Sequence, residues 1–98
     1  MRYAARRDES EAAIIEALTD AGYYVGQVSS AGIPDLLVGR FGCPLLLVME
    51  CKTATGKLTA PQREFWLDLG AVPVVVRSAQ EALETVAEWF KEKPEAMR

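Results

Sequence analysis

A single mixed α/β domain is what these 98 residues predict, and three features of the pattern predict it. Ile14, Ile15 and Leu18 recur at helical spacing. Leu45 to Met49 is an unbroken apolar run of strand length. Thr59 with Gln62, and Ser78 with Glu81, are capping-box pairs, and each precedes a stripe of apolar residues three and four apart.

In chain order, Ser10 is placed to cap the first helix, which Gly22 ends. Tyr23 to Val28 alternates as a first strand, Ser29 to Gly32 is a turn, and Ile33 to Val38 is a second strand. Phe41-Gly42-Cys43-Pro44 is a tight connection into the run Leu45 to Met49, which reads as a central strand buried on both faces and continues into Glu50-Cys51-Lys52. After a polar loop, Thr53 to Leu58, the helix capped at Thr59 carries Phe65, Trp66 and Leu69. Val72 to Val76 is the next strand, with Pro73 near its start, where a strand tolerates proline. The last helix turns Ala82, Leu83, Val86, Trp89 and Phe90 inward, and Pro94 closes it. The order is helix, three strands, helix, strand, helix, in one domain spanning 1–98 with frayed ends at 1–8 and 94–98.

The chain is long enough for one core and too short for two, so a partner subunit would help it. Half of its residues are hydrophobic and 26% are charged, an ordinary globular composition. It contains no histidine, which excludes an imidazole zinc site, a Ser-His-Asp triad and a histidine base, and leaves the chemistry to carboxylates and lysines. A net charge of −3 argues against a passive nucleic-acid coat, although Arg2, Arg6, Arg7, Arg40, Lys57, Arg63 and Arg77 allow local basic patches. Cys43 and Cys51 are too far apart for a close ligand pair, and there is neither a secretory signal nor an apolar run that would cross a bilayer. These features point to a cytoplasmic protein with reduced thiols that serve as small core hydrophobes.

Function is sought where polar residues occupy positions that periodicity assigns to the core. At ~100° per residue, Glu11 lies on one stripe with Ile14, Ile15, Leu18 and Gly22, while Glu16 and Asp20 face solvent. The competing reading is a first-turn glutamate favoured by the helix dipole. Asp35, after Pro34 at the mouth of a strand, is either a site residue or turn chemistry. Glu50 and Lys52 share a strand face with Leu46 and Val48, and Met49 and Cys51 take the other; the alternative for the charged pair is a strand-end salt bridge of little energetic weight. Gln62 lies on the apolar stripe of its helix, either for a site or only to bond back to Thr59.

Two carboxylates on adjacent strands repel each other in a partly buried site. A hard divalent cation removes that conflict, and Mg²⁺ takes one or two carboxylates with waters and substrate phosphate. Such an ion acidifies a bound water and withdraws charge from a phosphoryl group. Lys52, two residues beyond Glu50, is placed to hold the attacking water or the charged transition state. Glu11, from the helix across that face, is placed to orient a metal-bound water.

The blocks Arg7 to Ile15, Gly32-Ile33-Pro34-Asp35-Leu36-Leu37-Val38-Gly39, Glu50-Cys51-Lys52-Thr53, Leu58-Thr59-Ala60-Pro61-Gln62 and Val74-Val75-Val76-Arg77-Ser78 together resemble, over nearly the whole chain, the stand-alone VRR-NUC domains of phages and bacteria. These belong to the PD-(D/E)XK nuclease superfamily, whose bipartite signature Pro34-Asp35 and Glu50-Cys51-Lys52 resembles. The resemblance implies a restriction-endonuclease-like αβββαβ core with a mixed sheet and a C-terminal helix. It implies a Mg²⁺-dependent DNA endonuclease in which Mn²⁺ substitutes, with metal ligands at Asp35, Glu50 and the main-chain carbonyl of Cys51, Glu11 acting through water, and site roles for Glu11, Lys52 and Gln62. It further implies a homodimer acting on DNA such as four-way junctions, in a bacterial cell or a phage-infected host. Two other readings stay open: a catalytically silent module of the same fold that binds nucleic acid or a partner protein, and a structural subunit whose strand-end charges pair.

Overall fold

The computed structural model of the chain describes residues 9–93. The fraying expected at 1–8 and 94–98, and the helix stop expected at Pro94, lie outside them. Spacings of three and four turn Ile14 and Leu18 inward from α1 (Glu9–Asp20), and Glu16 and Asp20 are exposed. Ser10, expected as its cap, sits inside the first turn instead.

The remaining elements are β1 (Tyr24–Gln27), β2 (Leu36–Gly39), β3 (Leu46–Cys51), α2 (Ala60–Leu69), β4 (Val75–Val76) and α3 (Ala79–Phe90). The sheet runs β1-β2-β3-β4, antiparallel across the first two pairs and parallel from β3 to β4. A mixed α/β domain with the predicted element order is therefore what forms, with β3 inside the sheet.

Several strands are shorter than the pattern suggests. β2 starts at Leu36 rather than Ile33, because a turn closed by Ile33 N–H donating to Ser30 O at 3.1 Å, with Gly32 at φ 81°, occupies the preceding residues, and Pro34 has no N–H to give a ladder. Pairing still reaches one step further, since Val28 N–H donates to Asp35 O at 2.8 Å. β4 is reduced to two residues after Pro73, with Val72 84% exposed. β1 likewise lacks Tyr23 and Val28.

Register fixes the two faces. Leu36 opposes Met49 and Val38 opposes Leu47, and these four join Ile14, Leu18, Cys51, Val76, Ala82, Val86 and Phe90 in one core beneath α1 and α3. The opposite face carries Leu37, Leu46, Val48 and Glu50. There the expectation of a strand buried on both sides fails: Leu45 is 42% and Leu46 53% exposed, because both helices that build the core lie on the other face. Glu50, at the far end of the strand, is buried completely.

α2 opens with the predicted capping box, the Thr59 hydroxyl accepting from Gln62 N–H and the Gln62 side chain accepting from Thr59 N–H, and closes at Gly70 in the left-handed region at φ 72°. Trp66 is buried as expected, whereas Leu69 is exposed. At α3 the Ser78 hydroxyl accepts from Glu81 N–H, but the Glu81 carboxylate reaches past the cap to Arg77 N–H at 2.8 Å, so the pair is not a closed capping box. The last turn is held by Arg40, which donates to the carbonyls of Phe90 and Lys93 at 3.0 and 3.2 Å and lies over the Phe90 ring. No helix among the described residues is long and apolar enough to cross a membrane.

Phe90 is the keystone of the α1–α3 side, stacked on Tyr23 with centroids 5.8 Å apart and edge-on to Trp89 at 4.8 Å. Phe90→Ala should cost roughly 3–5 kcal/mol, a large fraction of a small domain's stability. Phe41→Ala, at a ring that is 96% exposed, should shift the urea midpoint by less than ~0.5 kcal/mol equivalent.

Candidate active site

Two strand ends bring the acidic residues together. Asp35 immediately precedes β2, and the antiparallel pairing of Leu36 with Met49 sets it beside the next residue of β3, Glu50. Backbone alternation then orients the main chain around them. Glu50 N–H donates to Val74 O, just before β4, and Lys52 N–H to Val76 O of β4, at 2.8 and 3.0 Å. The Cys51 amide between them faces the other way and donates to Asp35 Oδ2 at 2.8 Å. The Cys51 side chain lies in the core, as periodicity requires. Its backbone, not its thiol, therefore belongs to the site.

Glu50 has no exposed surface. Its Oε2 accepts from Gln62 Nε2 at 2.9 Å, and its Oε1 is buried with no hydrogen-bond partner. Burial and then the neighbouring Asp35 charge push the Glu50 carboxyl up to about 8; Lys52 draws it down and Glu11 adds to the rise. Two carboxylates have only acceptor oxygens, so acids side by side across the strand pair are favoured by a proton or a cation between them.

Gln62 makes two bonds with one side chain. Its Oε1 accepts from Thr59 N–H at 2.8 Å while its Nε2 holds Glu50, so the helix cap fixes the orientation of the amide that reaches the acid. Glu11 is 5% exposed, as its place on the apolar stripe predicts, and its Oε2 accepts from Gln27 Nε2 at 3.4 Å. Lys52 is half-buried, and no ion pair joins it to Glu50 among the described residues, which removes the observation that a strand-end salt bridge would need. Asp35, Glu50, Lys52 and Gln62 thus gather at one end of the sheet, while Glu11, expected on the helix across the Glu50 face, stands on α1 over the core face and reaches the group through its effect on the Glu50 charge.

Sequence reasoning passed over Gln27. It occupies the β1 position opposite Leu36, on the core-facing side of the sheet, and a polar residue at an alternating apolar position was the available signal. Arg77 was seen only as one scattered cation, because its contacts depend on a loop whose path periodicity cannot give.

The donor set suits a hard cation. It offers oxygen ligands from Asp35 and Glu50, one buried carboxylate oxygen without a partner, and a fold that holds two like charges together. No group of three or more His, Cys, Asp or Glu side chains converges among the described residues, and Mg²⁺ needs only one or two carboxylates with waters.

Stability should follow the Glu50 proton. The folded protein binds it more tightly than the unfolded chain between the ordinary value of 4.5 and about 8, so the sign of the linkage is that stability falls as pH rises through this window. In metal-free buffer the melting temperature should drop from pH 5 to pH 8.5, and Glu50→Gln should flatten the slope. A parent protein with no slope, or one steeper in the mutant, would contradict the assigned cause.

No family model, no curated protein and no solved structure matches the chain, so its function has to be argued from this geometry.

Proposed function

We propose that the protein is a metal-dependent nuclease that hydrolyses phosphodiester bonds in DNA, with Mg²⁺ held by Asp35 and Glu50. The observation that carries this reading is the fully buried Glu50 carboxylate, with Oε1 unpartnered beside Asp35. A structural role gives no reason to hold two acids in this way, whereas a divalent cation satisfies both. The αβββαβ order and the mixed sheet are consistent with the restriction-endonuclease-like core of the PD-(D/E)XK superfamily, and the VRR-NUC resemblance of the sequence blocks agrees with the residues gathered at the site.

When bound, the metal supplies acidity to a coordinated water and positive charge to the phosphoryl oxygens. The chain's own residues do the rest. Gln62 keeps the Glu50 carboxylate from rotating, and the Cys51 amide does the same for Asp35. The Cys51 carbonyl, on the Asp35 side of the strand, is the proposed main-chain ligand. Lys52 would donate to the attacking water or to a phosphoryl oxygen as charge builds there, and Glu11 would help to orient a water at the site.

Supercoiled, linear and four-way-junction DNA incubated with Mg²⁺ or Mn²⁺ test the reading. Cleavage should need the metal, stop in EDTA, and fall by orders of magnitude in Lys52→Ala while metal binding persists. Cleavage that survives EDTA would overturn the mechanism. DNA binding without cleavage under any of these conditions would leave the silent module instead.

The active form in this proposal is a C₂ homodimer, since cutting both strands of a junction symmetrically takes two sites and one chain offers one. Supporting it, Tyr24 and Leu46, in register across β2 on the sheet face away from the core helices, are 63% and 53% exposed. Sedimentation at micromolar concentration should give a dimer; a monomer still active on junctions would refute the symmetric picture.

A further inference from the structure

We infer that Arg77 is a positioning residue for Lys52, acting through the loop between β3 and α2. Arg77 directly follows β4. Its Nη1 donates to two carbonyls of that loop, Thr53 O and Gly56 O, both at 2.6 Å. The loop is turned on itself by Gly56 N–H donating to Thr53 O and to Thr53 Oγ1, at 3.2 and 3.1 Å. One guanidinium therefore ties both ends of the turn to the end of the neighbouring parallel strand.

Arg77 is itself fixed from both sides. Its N–H donates to Glu81 Oε1 at 2.8 Å, at the start of α3, and Val76 before it accepts from Lys52 N–H at 3.0 Å. The clamp thus connects the sheet and α3 to a loop that Arg63 Nη1, donating to Leu58 O at 3.0 Å, ties to α2.

The loop matters because it begins directly after Lys52 and folds back beside its stem. A Cβ built on Gly56 would stand 3.0 Å from Thr53 Oγ1 and, in ordinary contact, 3.5 Å from Lys52 Cδ, so the bare glycine leaves about a methyl's width of space beside the lysine. Holding Thr53 O and Gly56 O fixes the walls of that space. The amine is carried on four flexible methylene groups, and a fixed loop beside the stem restricts where the charged end points.

This inference rests on the nuclease reading for its kinetic consequence but not for its structural one. Two variants, Arg77→Met and Arg77→Lys, are compared with the parent by tryptic digestion under native conditions and by single-turnover cleavage of DNA in Mg²⁺. Loss of the clamp should speed nicking after Lys57, in the loop, at least tenfold in Arg77→Met and less in Arg77→Lys. The cleavage step should slow by ten- to a hundredfold, with DNA Kd and its salt dependence unchanged. Gly56→Ala provides a variant that leaves Arg77 intact: the loop should stay resistant to trypsin while the cleavage step slows, because the added methyl presses on the Thr53 hydroxyl and fills the space beside the Lys52 stem. Unchanged nicking in Arg77→Met would overturn the clamp even if the protein proves to be no nuclease. A weakened, less salt-dependent Kd with an unchanged cleavage step would show that Arg77 contacts phosphate instead. A cleavage step at the parent rate in Gly56→Ala would overturn the role given to the space at Gly56.

Discussion

The arrangement depends on keeping a carboxylate where water does not reach it. An isolated ionised carboxylate in a dry interior is strongly unfavourable, and Glu50 meets that cost by holding its proton to about 8 rather than 4.5. Everything adjacent to it supports that state or, in the proposed nuclease, prepares its replacement by a cation. Gln62 satisfies one oxygen and leaves the other bare. The Cys51 amide takes one oxygen of Asp35, so the second acid is held in place.

That geometry is a consequence of sheet register. β2 and β3 are antiparallel, so the residue before one strand lies beside a residue near the end of the other. β3 and β4 are parallel, and their slanted bonds from Glu50 and Lys52 turn the intervening Cys51 amide toward Asp35. Shifting β3 by one residue would exchange its faces, sending Glu50 into the apolar core and Met49 into the site. The core of Leu36, Val38, Leu47 and Met49 under α1 and α3 therefore holds the acids in register as well as stabilising the fold.

Element order and the inward faces of α1 and α3 were legible in the sequence because periodicity records burial directly. Glu11, Glu50 and Gln62 were legible for the same reason, as polar residues at positions that the pattern assigns to the interior. What periodicity could not record was what covers a face. The run Leu45 to Met49 looks the same whether its second face meets a helix or solvent, and here Leu46 meets solvent. Strand ends were set by backbone details: Pro34 and the turn at Ser30 to Ile33 delayed β2, and Pro73 shortened β4. Ser10 and Glu81 carry capping chemistry in their residue types, yet Ser10 lies inside α1 and the Glu81 carboxylate bonds one residue beyond the cap, at Arg77 N–H. Gln27 and Arg77 were missed because their partners lie 16 and more than 20 positions away in the chain, a separation that only the folded topology closes.

An acidic chain is an awkward partner for a polyanion, and the distribution of charge resolves the difficulty for the proposed activity. Between Cys51 and Arg63 there is no acidic residue, while Lys52, Lys57 and Arg63 fall within that stretch, and Arg77 is bonded to its loop. The exposed acids Glu84 and Glu88 instead line α3, the helix that packs on the core face of the sheet. At physiological salt, charges more than ~8 Å apart across solvent are largely screened, so a substrate at the sheet end is governed by the local cations more than by the total of −3. Arg63 spends a hydrogen-bond donor on Leu58 O, which fixes it without cancelling its charge. Arg77, with the Glu81 carboxylate on its own amide, shapes the loop, while Lys52, Lys57 and Arg63 supply the positive field at the end of the sheet where Glu50 and Asp35 meet.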